Sequence, residues 1–134
     1  MSKLMLGTAQ FGLHYGVTNQ NGQIKQEAGK VVLQMAKNSG IDMLDTAIAY
    51  GDSEQILGKL GVNYFKVVTK LPALPVGICN IEEWINKQIE ASLDRLGLNS
   101  IHGVLLHRSE NVLGNAGSQV IQSLQRLKSQ GLTQ

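Results

Sequence analysis

The chain holds one cysteine, Cys79, so no internal disulfide can form, and a reducing compartment is implied. Proline occurs only twice, and no linker-like change of composition divides the 134 residues, which read as one domain spanning 1–134. No apolar run approaches the length of a membrane span, and the opening Met-Ser-Lys-Leu-Met-Leu-Gly is too short for a secretory signal. Charge of one sign is not in excess either. The net charge is +2 and the Lys and Arg residues are scattered, which leaves no footprint for nucleic acid or a membrane surface. A hydrophobic content of 43% against 16% charged places the chain among globular proteins. A cytoplasmic protein is the expectation.

What is present is an alternation of short apolar segments with helical patterns. The first segment is "LMLG" at 4–7, followed by a Gly- and Asn-rich loop through Gly22. In "QEAGKVVLQMAKNSG", Ala28, Val31, Val32, Met35 and Ala36 recur at three- and four-residue steps and predict a helix buried along that face, with Gly40 as its stop. "IDMLD" precedes a short helix at "SEQILGKL", with Asp52 or Ser53 as N-cap. "FKVVTK" is a β-branched strand. Its helix starts at Asn80, has Glu83 as capping-box partner, and buries Ile81, Trp84, Ile85, Ile89, Leu93 and Leu96. "IHGVLLH" leads to a fourth helix presenting Val120, Ile121, Leu124 and Leu127 and ending near Gly131. Four strand-then-helix units predict a parallel sheet, either doubly wound or part of a (β/α) barrel.

The polar residues favour the barrel. Side chains alternate along a strand, so Asp45 shares a face with Met43, Lys70 with Val68, and His107 with Gly103 and Leu105. Each ionisable residue closes its strand at the C-terminal end, the edge that carries the active site in parallel barrels. Tyr50, on the glycine-hinged loop after Asp45, would hang over the other three. Singly, Asp45 reads as a turn residue, Lys70 as a solvated strand end, His107 as a structural histidine and Tyr50 as a packed ring. Their coincidence at one edge is what those separate readings do not predict. A phenol with its ordinary pKa of about 10 is a poor acid at neutral pH, an ammonium beside it favours the phenolate, and a carboxylate keeps that ammonium charged and aimed. With a histidine to orient a carbonyl, such a set can protonate the oxygen as hydride reaches the carbon.

"LGTAQFG", "GIDMLDTAIAYGDSEQILG", "VVTK" and "SLDRLGLNSIHGVLLHR", in this order and spacing, resemble the aldo-keto reductase family over essentially the whole chain. The Asp-Thr-Ala-x-x-Tyr-Gly stretch is the specific part. The resemblance implies a TIM-type (β/α) barrel, here its first four βα units, and NAD(P)H-dependent reduction of an aldehyde or ketone. It implies a catalytic tetrad of Asp45, Tyr50, Lys70 and His107 with Tyr50 as proton donor. It further implies a cofactor, NADP(H) or alternatively NAD(H), approached by Gly7, Thr8 and Asp45. The opening "LGTAQFGLHYGVTNQNGQ" is similar to members encoded with bacterial surface-polysaccharide genes, which suggests a sugar-derived substrate. Members run to roughly twice this length as eight-unit barrels. The residues that hold the adenosine phosphate and stack the nicotinamide then fall outside these 134, and the exposed half-barrel edges predict a homodimer.

Two other functions compete. One is a catalytically silent half-barrel that serves as an assembly or binding unit, separable by cofactor binding. The other is a Schiff-base lyase using Lys70, against which a pairing with Asp45 argues. His14 and His102 lack ligand-spaced partners, so no metal site is expected. The glycines between Gly7 and Gly22 match no phosphate loop. Trp84, Met35 and Met43 are expected in the core, and Arg108 and Glu110 on a solvated loop.

Overall fold

The computed structural model describes residues 4–134. Met1–Lys3, part of the opening stretch read against a secretory signal, lie outside the described residues. Four strands, β1 (Leu6–Gly7), β2 (Met43–Asp45), β3 (Lys66–Leu71) and β4 (Gly103–Leu106), form one sheet in the order β1-β2-β3-β4. All pairs are parallel, with Gly7 opposite Asp45, Asp45 opposite Val68, and Lys70 opposite Leu105. A parallel bridge between Ile101 and Thr133 starts a further pairing beside β4, where a fifth strand is expected. The helices are α1 (Ala9–Gly12), α2 (Gln26–Asn38), α3 (Ser53–Leu60), α4 (Ile81–Leu96) and α5 (Gly117–Ser129), with a 3-10 turn at Ser109–Val112 before the last. Among the described residues, no helix is long and apolar enough to cross a membrane.

The core lies between the sheet and its helices. Leu44, Val67 and Leu71 point to the helical side, and Leu57, Ile85, Ile89, Leu96 and Leu127 come down onto them, all fully buried. The other face carries Met43, Asp45, Val68, Lys70, Gly103 and Leu105, as strand alternation requires. Leu105 on this face is 50% exposed. Helix α4 starts as predicted: the Asn80 side chain accepts the Glu83 backbone N–H at 3.0 Å. One turn further on, Lys87 donates to Glu83, which holds that carboxyl below its ordinary range and raises the Lys87 ammonium.

Two expectations about helix faces and one about a loop are corrected. Helix α2 buries Gly29, Leu33 and Ala36, with Val32 packed beside them, while Val31 and Met35 are exposed and so is Ala28. The apolar spacing admitted two stripes one residue apart, and Gly29 decides: a Cβ there would sit 3.0 Å from the ring of Phe11, so α2 seats its smallest residue against that ring. In α5, Ile121 is 45% exposed and Gly117, Val120, Ser123 and Leu127 are buried. The segment after β1, read as loop throughout, opens with the helical turn α1, whose Phe11 is buried in the core.

Helices α3 and α4 approach more closely than side chains normally allow. A Cβ on Gly58 would lie 2.1 Å from the Arg95 carbonyl oxygen. One turn earlier on the same face of α3 is Glu54, buried at 2% exposure. The missing side chain at Gly58 lets Ser92 and Arg95 of α4 reach that carboxylate: Ser92 Oγ donates at 2.6 Å and Arg95 Nε at 2.9 Å. In an isolated helix, Gly58→Ala would stabilise by about 1 kcal/mol. Here the added methyl meets backbone, and the substitution is expected to destabilise by about 1–3 kcal/mol. Urea denaturation measures this, and a raised midpoint would show that the helices separate without cost.

Candidate active site

The carboxyl edge of the sheet gathers the ionisable residues. Lys70, near the end of β3, places Nζ 2.6 Å from Asp45 Oδ1 on the neighbouring strand. The same ammonium donates to the Thr46 carbonyl at 2.9 Å and to the Tyr50 hydroxyl at 3.4 Å. Its three protons therefore have three acceptors, which fixes where the side chain ends. Both partners are partly buried, with side chains 16% exposed at Lys70 and 29% at Asp45. His107 follows β4 directly, its backbone N–H donating to the Leu71 carbonyl at 2.9 Å. Its ring meets Tyr50 edge-on, centroids 5.8 Å apart at 87°. All four residues singled out in the sequence thus lie together. Gly7, at the end of β1, is exposed, whereas Thr8 is fully buried.

Beneath this edge lies a network of buried hydroxyls. Thr8 donates to the Asp45 carbonyl at 2.9 Å from both its backbone N–H and its hydroxyl. Ser53 Oγ donates to the Thr8 carbonyl at 2.9 Å and lies 3.1 Å from Thr46 Oγ1. Next to it, Glu54 accepts the Thr69 hydroxyl at 2.6 Å. Sequence reasoning treated Ser53 only as a possible cap and passed over Glu54. A signal existed: Glu54 lies three and four residues before Leu57 and Gly58, so a carboxylate falls on the buried stripe of α3. Asp52 is the N-cap residue of α3, but its side chain makes no capping bond.

The Tyr50 loop is held from above by α1. A Cβ on Gly12 would fall 1.8 Å from the Tyr50 carbonyl oxygen and 2.3 Å from the Ser53 backbone nitrogen. Gly51 answers it with φ of 54°, a left-handed conformation that favours glycine, and its own Cβ would meet the Gly12 carbonyl at 2.5 Å. Two glycines from distant parts of the chain let two backbones touch. The loop after α1 is also pinned: Asn19 donates to the Tyr15 and Gly22 carbonyls and accepts from the Asn21 and Gly22 N–H groups.

A parallel βα sheet with an ion pair, a phenol and an imidazole at its carboxyl edge defines the first half of an enzyme barrel of the TIM type. Comparison with known proteins gives the family. The model of the Aldo/keto reductase family matches residues 3–134, and the chain belongs to that family. Oxidoreductase sirO of Leptosphaeria maculans is 31% identical over 108 residues, which are 78% of this chain and 32% of that protein. Aldo-keto reductase str7 of Strobilurus tenacellus is 33% identical over 82 residues, 58% of this chain and 24% of its own. Among solved structures, a Pseudomonas aeruginosa protein assigned to the aldo-keto reductases superposes with a TM-score of 0.81 at 31% identity, over 98% of this chain and 53% of that one. A Bacillus halodurans aldo-keto reductase in its holo form gives 0.74 at 21% identity, over 98% and 44%, a likeness of fold. The chain spans a third or less of the curated relatives' length and about half of the solved chains.

Gly12→Ala is expected to force the Tyr50–Ser53 backbone away from α1, costing about 1–3 kcal/mol and breaking the edge contact between the Tyr50 and His107 rings. Urea denaturation and ring-to-ring NOEs measure the two effects. An unchanged midpoint with the NOEs intact would mean that α1 does not position the loop.

Proposed function

We propose that this chain contributes the acid-base half of an NAD(P)H-dependent carbonyl reductase, acting on an aldehyde or ketone of which a sugar-derived compound is the class the opening residues suggest. The observation that carries the reading is the placement of the Lys70 ammonium against both Asp45 and Tyr50. Because Lys70 donates to the Tyr50 oxygen, the phenol's own proton must point elsewhere, toward a substrate oxygen. When that proton leaves, the phenolate remains beside a fixed positive charge, which is where electrostatic stabilisation is most effective. Asp45 and the Thr46 carbonyl keep the ammonium from following the proton. His107, edge-on to Tyr50, is placed to donate to the same carbonyl and orient it.

A bound nicotinamide supplies the hydride that the carbonyl carbon accepts. The residues present fit such a group at the end of β1. Gly7 is exposed there, and a Cβ built on it would meet nothing within 4 Å, so the backbone offers an open approach beside Asp45. Thr8 is fully buried, with its N–H and hydroxyl both on the Asp45 carbonyl and its own carbonyl on Ser53, so it can help only by holding this edge in place. We keep NADP(H) as the first assignment and NAD(H) as the second. A Schiff-base role for Lys70 is disfavoured by its three acceptors, which engage all three protons of an ammonium, a form with no lone pair for attack.

Tyr50→Phe removes the proton and little else. Turnover of a carbonyl substrate is expected to fall by about 10²–10⁴, the usual share of a general acid, with stability nearly unchanged. Undiminished turnover would remove Tyr50 from the role.

The inner face also bears on partners. The β4 edge and the half-exposed Leu105 on that face, with Ile121 of α5 exposed on the helical side, offer unpaired strand and apolar surface, which drive association. Solved relatives about twice as long share this fold, so two copies of the 134 residues could restore an eight-strand count. These residues produced by themselves are expected to form dimers or larger species and to bind NADPH far more weakly than a relative of full barrel length. Sedimentation and fluorescence titration check both, and a monomer with tight NADPH binding would overturn the proposal.

A further inference from the structure

We propose that Ser53 and Glu54, the first two residues of α3, are positioning residues that together set the approach of Tyr50 to Lys70. The inference takes its functional meaning from the acid role proposed for Tyr50, but its geometry stands apart from it. Tyr50 is tied directly to α3, because its carbonyl accepts the Ser53 backbone N–H at 3.0 Å. Wherever the start of α3 goes, Tyr50 follows.

Two buried side chains decide where that start goes. Ser53, fully buried, holds the Thr8 carbonyl and contacts the Thr46 hydroxyl; Thr8 bonds the Asp45 carbonyl across the sheet and Thr46 follows Asp45 in sequence. Glu54 takes hold of β3 through Thr69, the residue next to Lys70. Thr69 faces the helices and Lys70 the open side, so a hydrogen bond behind the sheet fixes the residue whose neighbour acts in front of it. The carboxylate is itself held by Ser92 Oγ and by Arg95, whose Nη2 lies 2.7 Å from Oε2. One end of one helix is thus fastened to the strands bearing Asp45 and Lys70.

A role in stability alone would not require charge here. Burying a carboxylate is costly even beside a guanidinium that is 35% exposed, and well-packed apolar replacements of buried charged groups are often neutral or stabilising. What a carboxylate gives and a methyl group cannot is a directed contact to Thr69, Ser92 and Arg95 at once.

Thr69 allows a test that separates direction from packing. Thr69→Val keeps the volume and removes the donor, whereas Thr69→Ser keeps the donor and removes a methyl. In the 134-residue chain with ¹³C-labelled tyrosine, the Tyr50 Cζ resonance is assigned by Tyr50→Phe, and its shift in Lys70→Met calibrates loss of the lysine contact. Thr69→Val and Ser53→Ala should move the resonance at least halfway to the Lys70→Met value, while Thr69→Ser leaves it within about a tenth of the wild-type position. In the active protein, Thr69→Val should lower kcat for NADPH-dependent reduction of 4-nitrobenzaldehyde about tenfold with KM within about twofold, and Thr69→Ser should restore it. Folded Val and Ala variants with the wild-type resonance would overturn the inference, as would a Ser variant that moves as far as Val. Should Thr69→Val fail to fold, Ser53→Ala decides alone, and unfolding of both would assign these residues to stability instead. Tyr50→Phe that retains full turnover would sink the proposed function while leaving the resonance test to stand on its own.

Discussion

A carboxylate at 2% exposure has to find donors or the chain cannot close around it, and Glu54 meets that requirement from two other elements at once. Thr69 reaches it from β3, Ser92 and Arg95 from α4. Taking away Arg95 would leave the Glu54 charge buried without its ionic partner, which typically costs on the order of 3–5 kcal/mol. Much of the arrangement around α3 follows from this demand. Gly58 must lack a side chain so that α4 comes near enough, and Ser92 and Arg95 must stand one turn apart so that both reach the same group. The site in front of the sheet inherits its geometry from this arrangement behind it.

The two faces of β3 show how the inheritance works. Successive residues Thr69 and Lys70 point in opposite directions, one into the helix layer and one toward the open side. Hydrogen bonding fixes Thr69, and the stiffness of a paired strand carries that placement to Lys70. Asp45 is treated in the same way, with Thr8 holding its carbonyl while its side chain takes the ammonium. Support from the protected face comes from Thr69, next to Lys70 in sequence, and from Thr8, next to Asp45 across the sheet, and it adds to the three acceptors that hold the Lys70 ammonium directly.

The strand ends were legible because strand alternation is a strict rule. Met43 and Asp45, Val68 and Lys70, and Leu105 and His107 had to share faces, and parallel pairing had to bring their ends to one edge. Helix faces were less legible. In α2 the apolar residues fit two stripes one residue apart, and the choice was made by the ring of Phe11 against Gly29, a contact across a dozen residues of loop that periodicity cannot register. The network under the site was hidden for a related reason. Ser53 reads as a possible N-cap and Thr8 as a neighbour of the cofactor, and their bond to each other appears only when the fold brings residues 45 positions apart within hydrogen-bond distance. Glu54 alone carried a local sign, being a charge on an apolar stripe.

What the four βα units build by themselves and what they leave to a surface opposite can be separated on physical grounds. The helix-side core is complete: Leu44, Leu57, Ile85, Ile89 and Leu127 are fully enclosed, and every contact that aligns Asp45, Tyr50 and Lys70 comes from consecutive strands and the helices that cover them. The open side is different, since Leu105 there is half exposed. A charge acting on a developing phenolate is weakened by nearby water and strengthened as water is excluded. The relative placement of Asp45, Tyr50 and Lys70 is therefore a property of these four units, while in the proposed role the strength of the field between them depends on what closes over it. In the proposed role, these units hold their polar residues in register, and covering the inner face is what would strengthen the field acting on the phenolate.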